Sequence, residues 1–518
     1  MSEAAPGRIV DAGELRRDVE ETPEVCVVGS GAGGAVVAAR LAERGKRVVV
    51  LEEGGHYPPE KMQMDEAWAF PALYQERGQR ATADLAITVL QGRAVGGSTV
   101  VNWTTSFRTP PRVFRHWAEV SGISGLDERA LEPHFQAVEE RLHIGPWPLE
   151  AVNANNHVLW EGAGRLSWDR EVIRRNVFGC QDLGYCGTGC PAGAKQSADQ
   201  TFLADAVRDG ARVYAHARVT RLEKAGKRIA AVVGQALDPS TLKPTGRKVV
   251  VRPKLVVLSG GAINTPALLL RSGYDPSGRV GKRTFLHPVV ASAAVFPDKV
   301  EGYYGAPQSV SSHHFADRGK GRVGFFLEAA PLHPILVATS LGGFGVTHED
   351  EMARLPYTNG LIALAIDGFL PEEEGGTVSI RSDGRVRLDY KIGREVWEAL
   401  REGNKALARV QLAAGASMVY SFHEDPVVMR TEAEVALLDR APWEPLRVGV
   451  FSAHAMGGCA MGRDPEKSVV DARLKLHWLD NTWVVDGSVF PTSLGVNPQE
   501  TIFAIAHWAS DHIASAAG

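Results

Sequence analysis

Apolar residues in this chain come in short unbroken runs, and the first run sets the pattern. Val25-Cys26-Val27-Val28, between Pro23 and Gly29, suits a strand buried on both faces of a parallel sheet. Small and helix-forming residues follow over 35–44, Gly45 stops the helix, and Val48-Val49-Val50-Leu51 forms a second such strand. The run Leu255-Val256-Val257-Leu258 repeats the theme. It ends in glycines and leads into a helix for which Thr265 is the expected N-cap and Pro266 the first-turn residue. Strands are also expected over 210–214 and 217–222, with a turn over 238–246 between two β-like runs. The stretch 112–142 is charged with helical spacing, and 1–24 reads as a polar lead-in.

Residues 291–440 have a different texture. Short β-like runs over 323–327 and 376–380, a Ser382-Asp383-Gly384 turn and a helix over 394–413 predict an antiparallel sheet with a helix against it. Tyr303, Tyr304, Phe325, Phe326, Phe344 and Phe369 are expected in its core. Near the end, 484–488 is a strand running into Asp486, Gly487 and Ser488. Asn497 is the expected cap and Pro498 the first-turn residue of a last helix, whose apolar face is Ile502, Ile505, Ala506, Ala509 and Ile513. The fold class predicted is α/β: a Rossmann-like dinucleotide-binding domain interleaved in sequence with an antiparallel α+β domain.

Composition narrows the function classes. With 518 residues, 44% hydrophobic and 23% charged, the chain has ample core, and a net charge of −4 gives no general pull toward nucleic acid or anionic membrane. No run reaches the ~18 consecutive apolar residues of a membrane span, and the charged N-terminal stretch lacks the apolar core of a secretory signal, so a cytoplasmic location is expected.

The first strand, its glycines, the helix and the second strand together form a dinucleotide-binding unit. Gly29 permits the tight turn, Gly31 lets backbone approach a pyrophosphate, and Gly34 lets helix and strand come close. Glu52 ends the second strand, where it accepts hydrogen bonds from ribose hydroxyls and repels a 2′-phosphate, which argues against NADP. FAD and NAD remain open at this point. Gln91-Gly92-Arg93 through Gly96-Gly97-Ser98 to Asn102 reads either as a loop wrapping a flat ligand or as a surface turn. Val219 is placed to lie against an adenine, and Asp486 and Gly487 suit ribityl and pyrophosphate contacts. His454, among small residues, is either a satisfied histidine or a catalytic one; the helix start at Asn497, Pro498 and Gln499 favours the second. A helix N-terminus stabilises negative charge on a reduced flavin, a logic that does not apply to nicotinamide.

These motifs, with Gly261-Ala262-Ile263-Asn264-Thr265-Pro266 and His454 through Gly462, run in order from about residue 22 to the C-terminus and resemble the glucose-methanol-choline (GMC) oxidoreductases. Val101-Asn102-Trp103, Arg108-Thr109-Pro110, and Cys186-Gly187-Thr188-Gly189-Cys190 ahead of Gly193-Ala194-Lys195 look like the long-chain fatty alcohol oxidase branch. The resemblance implies FAD, held noncovalently because Val101 stands where some relatives carry a linking histidine. Segments 1–125, 190–290 and 441–518 would form the FAD-binding part, and 126–189 and 291–440 a linker and substrate part. It also implies oxidation of an alcohol CH–OH to aldehyde or ketone, with His454 taking the proton, Asn497 as its partner and hydride passing to flavin N5. The acceptor would be oxygen, a protein or a quinone. A flavin-bound lyase is a second possibility within the family; a noncatalytic dinucleotide-binding protein or an NAD-dependent dehydrogenase would have no use for the C-terminal motifs.

Cys180, Cys186 and Cys190 have three readings: buried free thiols, a disulfide, or ligands of a [3Fe-4S] cluster. Their spacing is similar to that of the family's cluster-bearing sugar dehydrogenases, which implies electron transfer to a protein or quinone.

Overall fold

The computed structural model describes residues 7–517, so residues 1–6 of the expected lead-in lie outside the described residues. The elements that carry the argument are, in chain order, β1 (Arg8–Asp11), β2 (Val25–Val28), α1 (Ala32–Glu43), β3 (Val48–Leu51), β4 (Arg212–Ala215), β5 (Leu255–Leu258) and α2 (Gly261–Arg271). They continue with β6 (Val289–Val295), β7 (Phe325–Ala329), β8 (Thr358–Ala365), α3 (Arg394–Ala414), β9 (Thr482–Val484) and α4 (Gln499–Ala516).

A six-stranded parallel sheet has the order β1-β4-β3-β2-β5-β9. All residues of β2, β3 and β5 are buried, as expected of parallel strands covered on both faces. The lead-in expectation fails from Arg8 onward. β1 pairs with β4 at the sheet edge, and Val19–Glu21 pairs in parallel with Val249–Val251 of a separate four-stranded sheet. A four-residue strand with a charge at each end is edge material, and its pairing partner, Arg212–Ala215, is too distant in sequence for local pattern reading.

The second layer system is a nine-stranded, mainly antiparallel sheet in which β6, β8 and β7 are consecutive neighbours. The apolar face of α3 covers it, with Val396, Leu400, Leu407 and Val410 in one cluster with Phe325, Leu327 and Leu361. Two details differ from the sequence reading. The charged stretch 112–142 is two helices, Pro111–Ser121 and Glu128–Arg141, because Gly122 takes a left-handed conformation (φ +64°) and ends the first. Phe344 is 91% exposed and Tyr304 55%, so neither belongs to the core in which both were expected, whereas Phe325 and Phe326 do. Among the described residues, no helix is long and apolar enough to cross a membrane.

Candidate active site

The turn from β2 into α1 is built by glycines with separate tasks. Gly29 has φ +95°, which side chains rarely adopt, and a Cβ on Gly34 would lie 2.0 Å from the Gly29 carbonyl oxygen. Gly33 is a further constraint that the sequence reading missed: its Cβ would lie 1.9 Å from the Val485 carbonyl oxygen, so α1 seats directly on the chain leaving β9. The signal was the doubled glycine. Gly31, by contrast, has only the Gly97 Cα near its Cβ direction, at 3.8 Å, and opens into space. α1 starts there with no side-chain cap and no acidic residue in its first turn, so its first amides are left for an anion.

That space is a cavity of about 1090 Å³. Gly29, Gly31, Glu52, Arg93, Gly97, Ser98, Asn102, Val219, His454, Asp486, Gly487, Asn497, Pro498 and Gln499 all line it; Gly34 does not, being packed between helix and strand. Several of these polar groups hold the wall as well as facing the cavity. Glu52 is buried; its Oε2 accepts from the Ser30 amide (3.0 Å) and hydroxyl (2.7 Å), and its Oε1 from the Gly54 amide (2.8 Å). Asp486 accepts from the Gly261 amide (2.9 Å), the Thr265 hydroxyl (2.6 Å) and the Ser488 amide (2.8 Å). Arg93 donates to the Pro71 carbonyl (3.0 Å), Gly92 N–H to Ser98 Oγ (2.9 Å), and Asn102 Nδ2 to Gln499 Oε1 (2.6 Å).

Two expected caps shift. α2 begins at Gly261, so Thr265 lies inside it and its hydroxyl ties the Gly260 amide to Asp486. α4 begins at Gln499 with Pro498 in the cap position, and Asn497 makes no cap hydrogen bond. Its amide points sideways instead. Asn497 Nδ2 lies 3.4 Å from His454 Nε2 and 3.4 Å from Glu328 Oε2.

His454 follows a short strand, Val450–Ser452, and its own amide donates to Ser452 Oγ at 3.2 Å. Burial pushes its pKa down to about 4, which leaves the imidazole neutral at pH 7. Behind it stands His287, with the two Nδ1 atoms 3.3 Å apart; His287 is wholly buried, and burial holds it neutral as well. Neither His287 nor Glu328 was found from the sequence. Glu328 did leave a signal, a lone carboxylate inside the apolar run Phe325-Phe326-Leu327-Glu328-Ala329.

All five cysteines in the chain are free, and among the described residues no three His, Cys, Asp or Glu side chains are placed to hold a metal ion, so the cluster reading of Cys180, Cys186 and Cys190 gains no support from the structure. The segment is organised by a cation instead. The buried Lys195 ammonium donates to the carbonyls of Val100 (2.6 Å), Asn102 (2.9 Å) and Cys186 (2.7 Å), fastening this loop to the one carrying Gly97 and Ser98. Cys186 Sγ meets Arg175 Nη2 at 3.9 Å, and Cys180 Sγ meets Asp182 Oδ1 at 3.9 Å.

Comparison with known proteins bears on this arrangement. A family model described as an NAD(P)-binding Rossmann-like domain matches residues 27–57, and two described as GMC oxidoreductase match 70–289 and 371–506. An uncharacterised GMC-type oxidoreductase of Mycobacterium tuberculosis is 35% identical over 93% of this chain and 74% of its own length. The long-chain-alcohol oxidase FAO4B of Arabidopsis thaliana is 31% identical over 95% of this chain and 67% of its own. The solved structure of pyridoxine 4-oxidase from Mesorbium loti is similar in fold, with a TM-score of 0.71 at 22% identity, covering 94% of this chain and 98% of that one. Two family matches spanning most of the chain and relatives above 30% identity lead to one conclusion: the chain belongs to the GMC oxidoreductase family.

Proposed function

We propose that this protein oxidises the CH–OH group of an apolar or long-chain alcohol to an aldehyde or ketone, using noncovalently bound FAD. The observation that carries the reading is one cavity with an anion-ready helix start at Gly31 and the His454–Asn497 pair in the same wall. FAD fits the residues present. The first turn of α1 would take the pyrophosphate, Glu52 and Val219 would lie along the adenosine, and Asn102, Pro498 and Gln499 would meet the isoalloxazine end. When bound, FAD supplies the acceptor for the hydride that leaves the carbinol carbon.

The chain's own groups handle the proton and the oxygen. Neutral His454 accepts the hydroxyl proton at Nε2, and the Asn497 amide donates to the oxygen as it gains negative charge. Asn497 is buried and His454 half-buried, so the donor is worth more than it would be in solution. Leu90, Val101, Val289, Ile362, Leu364 and Phe451 also line the cavity and support an apolar substrate. The long-chain-alcohol oxidase named above agrees with that choice.

The test is an anaerobic spectrum of the purified yellow protein before and after adding decanol. Bleaching is expected, and His454→Ala should keep the colour yet bleach roughly 10²–10⁴ times more slowly. An unchanged rate in that variant would remove His454 from the role. Admitting oxygen then separates an oxidase, whose colour returns promptly with peroxide, from an enzyme that uses a protein or quinone acceptor.

A further inference from the structure

His454 and Asn497 are the middle of a longer chain of contacts. At one end, Glu328 Oε2 accepts from Gln308 Nε2 at 3.0 Å and lies 3.4 Å from Asn497 Nδ2, while Glu328 Oε1 and Asn497 Oδ1 have no partner. Asn497 Nδ2 is also 3.4 Å from His454 Nε2, so one amide position faces both the carboxyl group and the imidazole. At the other end, His454 Nδ1 meets His287 Nδ1 at 3.3 Å, and His287 Nε2 faces the Gly495 N–H at 3.2 Å.

The two ends ask for opposite arrangements. If Glu328 is a carboxylate, the group facing it must be the Asn497 NH₂, which then also donates to a bare His454 Nε2. The His454 hydrogen is on Nδ1, it is donated to His287 Nδ1, and the Gly495 amide loses its acceptor. If Glu328 carries a proton on Oε2, the carboxamide turns over and Oδ1 accepts from both Glu328 and His454 Nε2–H. His287 Nδ1–H then donates to His454 Nδ1, and its Nε2 keeps the Gly495 N–H. Every link is made, but the His454 nitrogen facing Asn497 already holds a proton and cannot take another.

We propose that Glu328 is a positioning residue whose ionisation turns the Asn497 carboxamide and so selects the His454 tautomer able to accept the substrate proton. This rests on the reading of His454 as proton acceptor. The charged group acting on Glu328 is the Glu171 carboxylate, held by His313 at 2.9 Å; Gln308 and Asn497 are neutral amides, and His454 and His287 are uncharged. Burial, chiefly, and then Glu171 push the Glu328 pKa up to about 8, against the two amide hydrogen bonds. Its carboxylate, and with it the competent tautomer, is therefore gained as pH rises.

The experiment is rapid-mixing reduction of the holoenzyme by decanol between about pH 6 and 9. The wild-type rate should fall about tenfold for each pH unit below the Glu328 pKa. Glu328→Gln, which cannot titrate, should lose that limb, and infrared difference spectra should show a protonated carboxyl band leaving over the same pH range in the wild type but not in the variant. An unchanged limb in Glu328→Gln, or a Glu328 already ionised throughout, overturns the proposal. If Glu328→Gln fails to fold, Gln308→Leu removes one donor to the carboxylate and should move the limb to higher pH; an unmoved limb is equally fatal. The His454 reading fails separately, through full-speed reduction in His454→Ala at every pH.

Discussion

The two ends of the cavity treat their buried carboxyl groups differently. Glu52 and Asp486, around the α1 turn, have both oxygens taken by amides and hydroxyls of the surrounding chain. Glu328, beside His454, keeps one oxygen without a partner, and so does the neighbouring Asn497. Saturated groups hold a shape. Buried groups left unsatisfied cost stability and are retained where a ligand or a proton is handled. By this comparison, substitutions around α1 act on folding, and substitutions around Glu328 act on rate and its pH dependence.

The hardest strike at that division is Gly33→Val, which drives a side chain into the Val485 carbonyl oxygen. The loss should exceed the ~1–3 kcal/mol of ordinary overpacking, seen as little soluble folded protein; a near-normal melting temperature would mean that α1 is not seated as described. Asp486→Ala leaves the Gly261 and Ser488 amides and the Thr265 hydroxyl without their shared acceptor. A loss of about 3 kcal/mol is expected by denaturant titration, with the pH dependence of bleaching unmoved in whatever protein folds and binds flavin. Ser30→Ala is the mildest. It removes the hydroxyl that donates to Glu52 and accepts from the Gly96 amide, for about 1 kcal/mol, and a pH limb lost as in Glu328→Gln would erase the contrast between the two ends.

Much of the α1 end was legible in the sequence. Each of its features is local: an unbroken apolar run, a glycine where φ must be positive, an acid at a strand end. β2 and β3 were read to the residue, and β5 likewise. Two features were not legible locally. Caps slid by a few residues because Thr265 and Asn497 have cap chemistry but direct it toward Asp486 in one case and His454 in the other. The geometry of the cysteine loop is set by Lys195 and three carbonyls, which cysteine spacing does not encode.

What the sequence determined by itself was the dinucleotide-binding unit, the interleaving of two kinds of sheet, and the pairing of His454 with Asn497 as candidates. What only the tertiary structure decided was their company. His287 lies 167 residues from His454 along the chain, and Glu328 lies 169 from Asn497. Both arrive on strands of the antiparallel sheet or beside it, whose neighbours are chosen by burial of an entire face and not by any local motif. A carboxyl group acquires its acid–base character from that desolvation, which exists only once the sheet has closed over it.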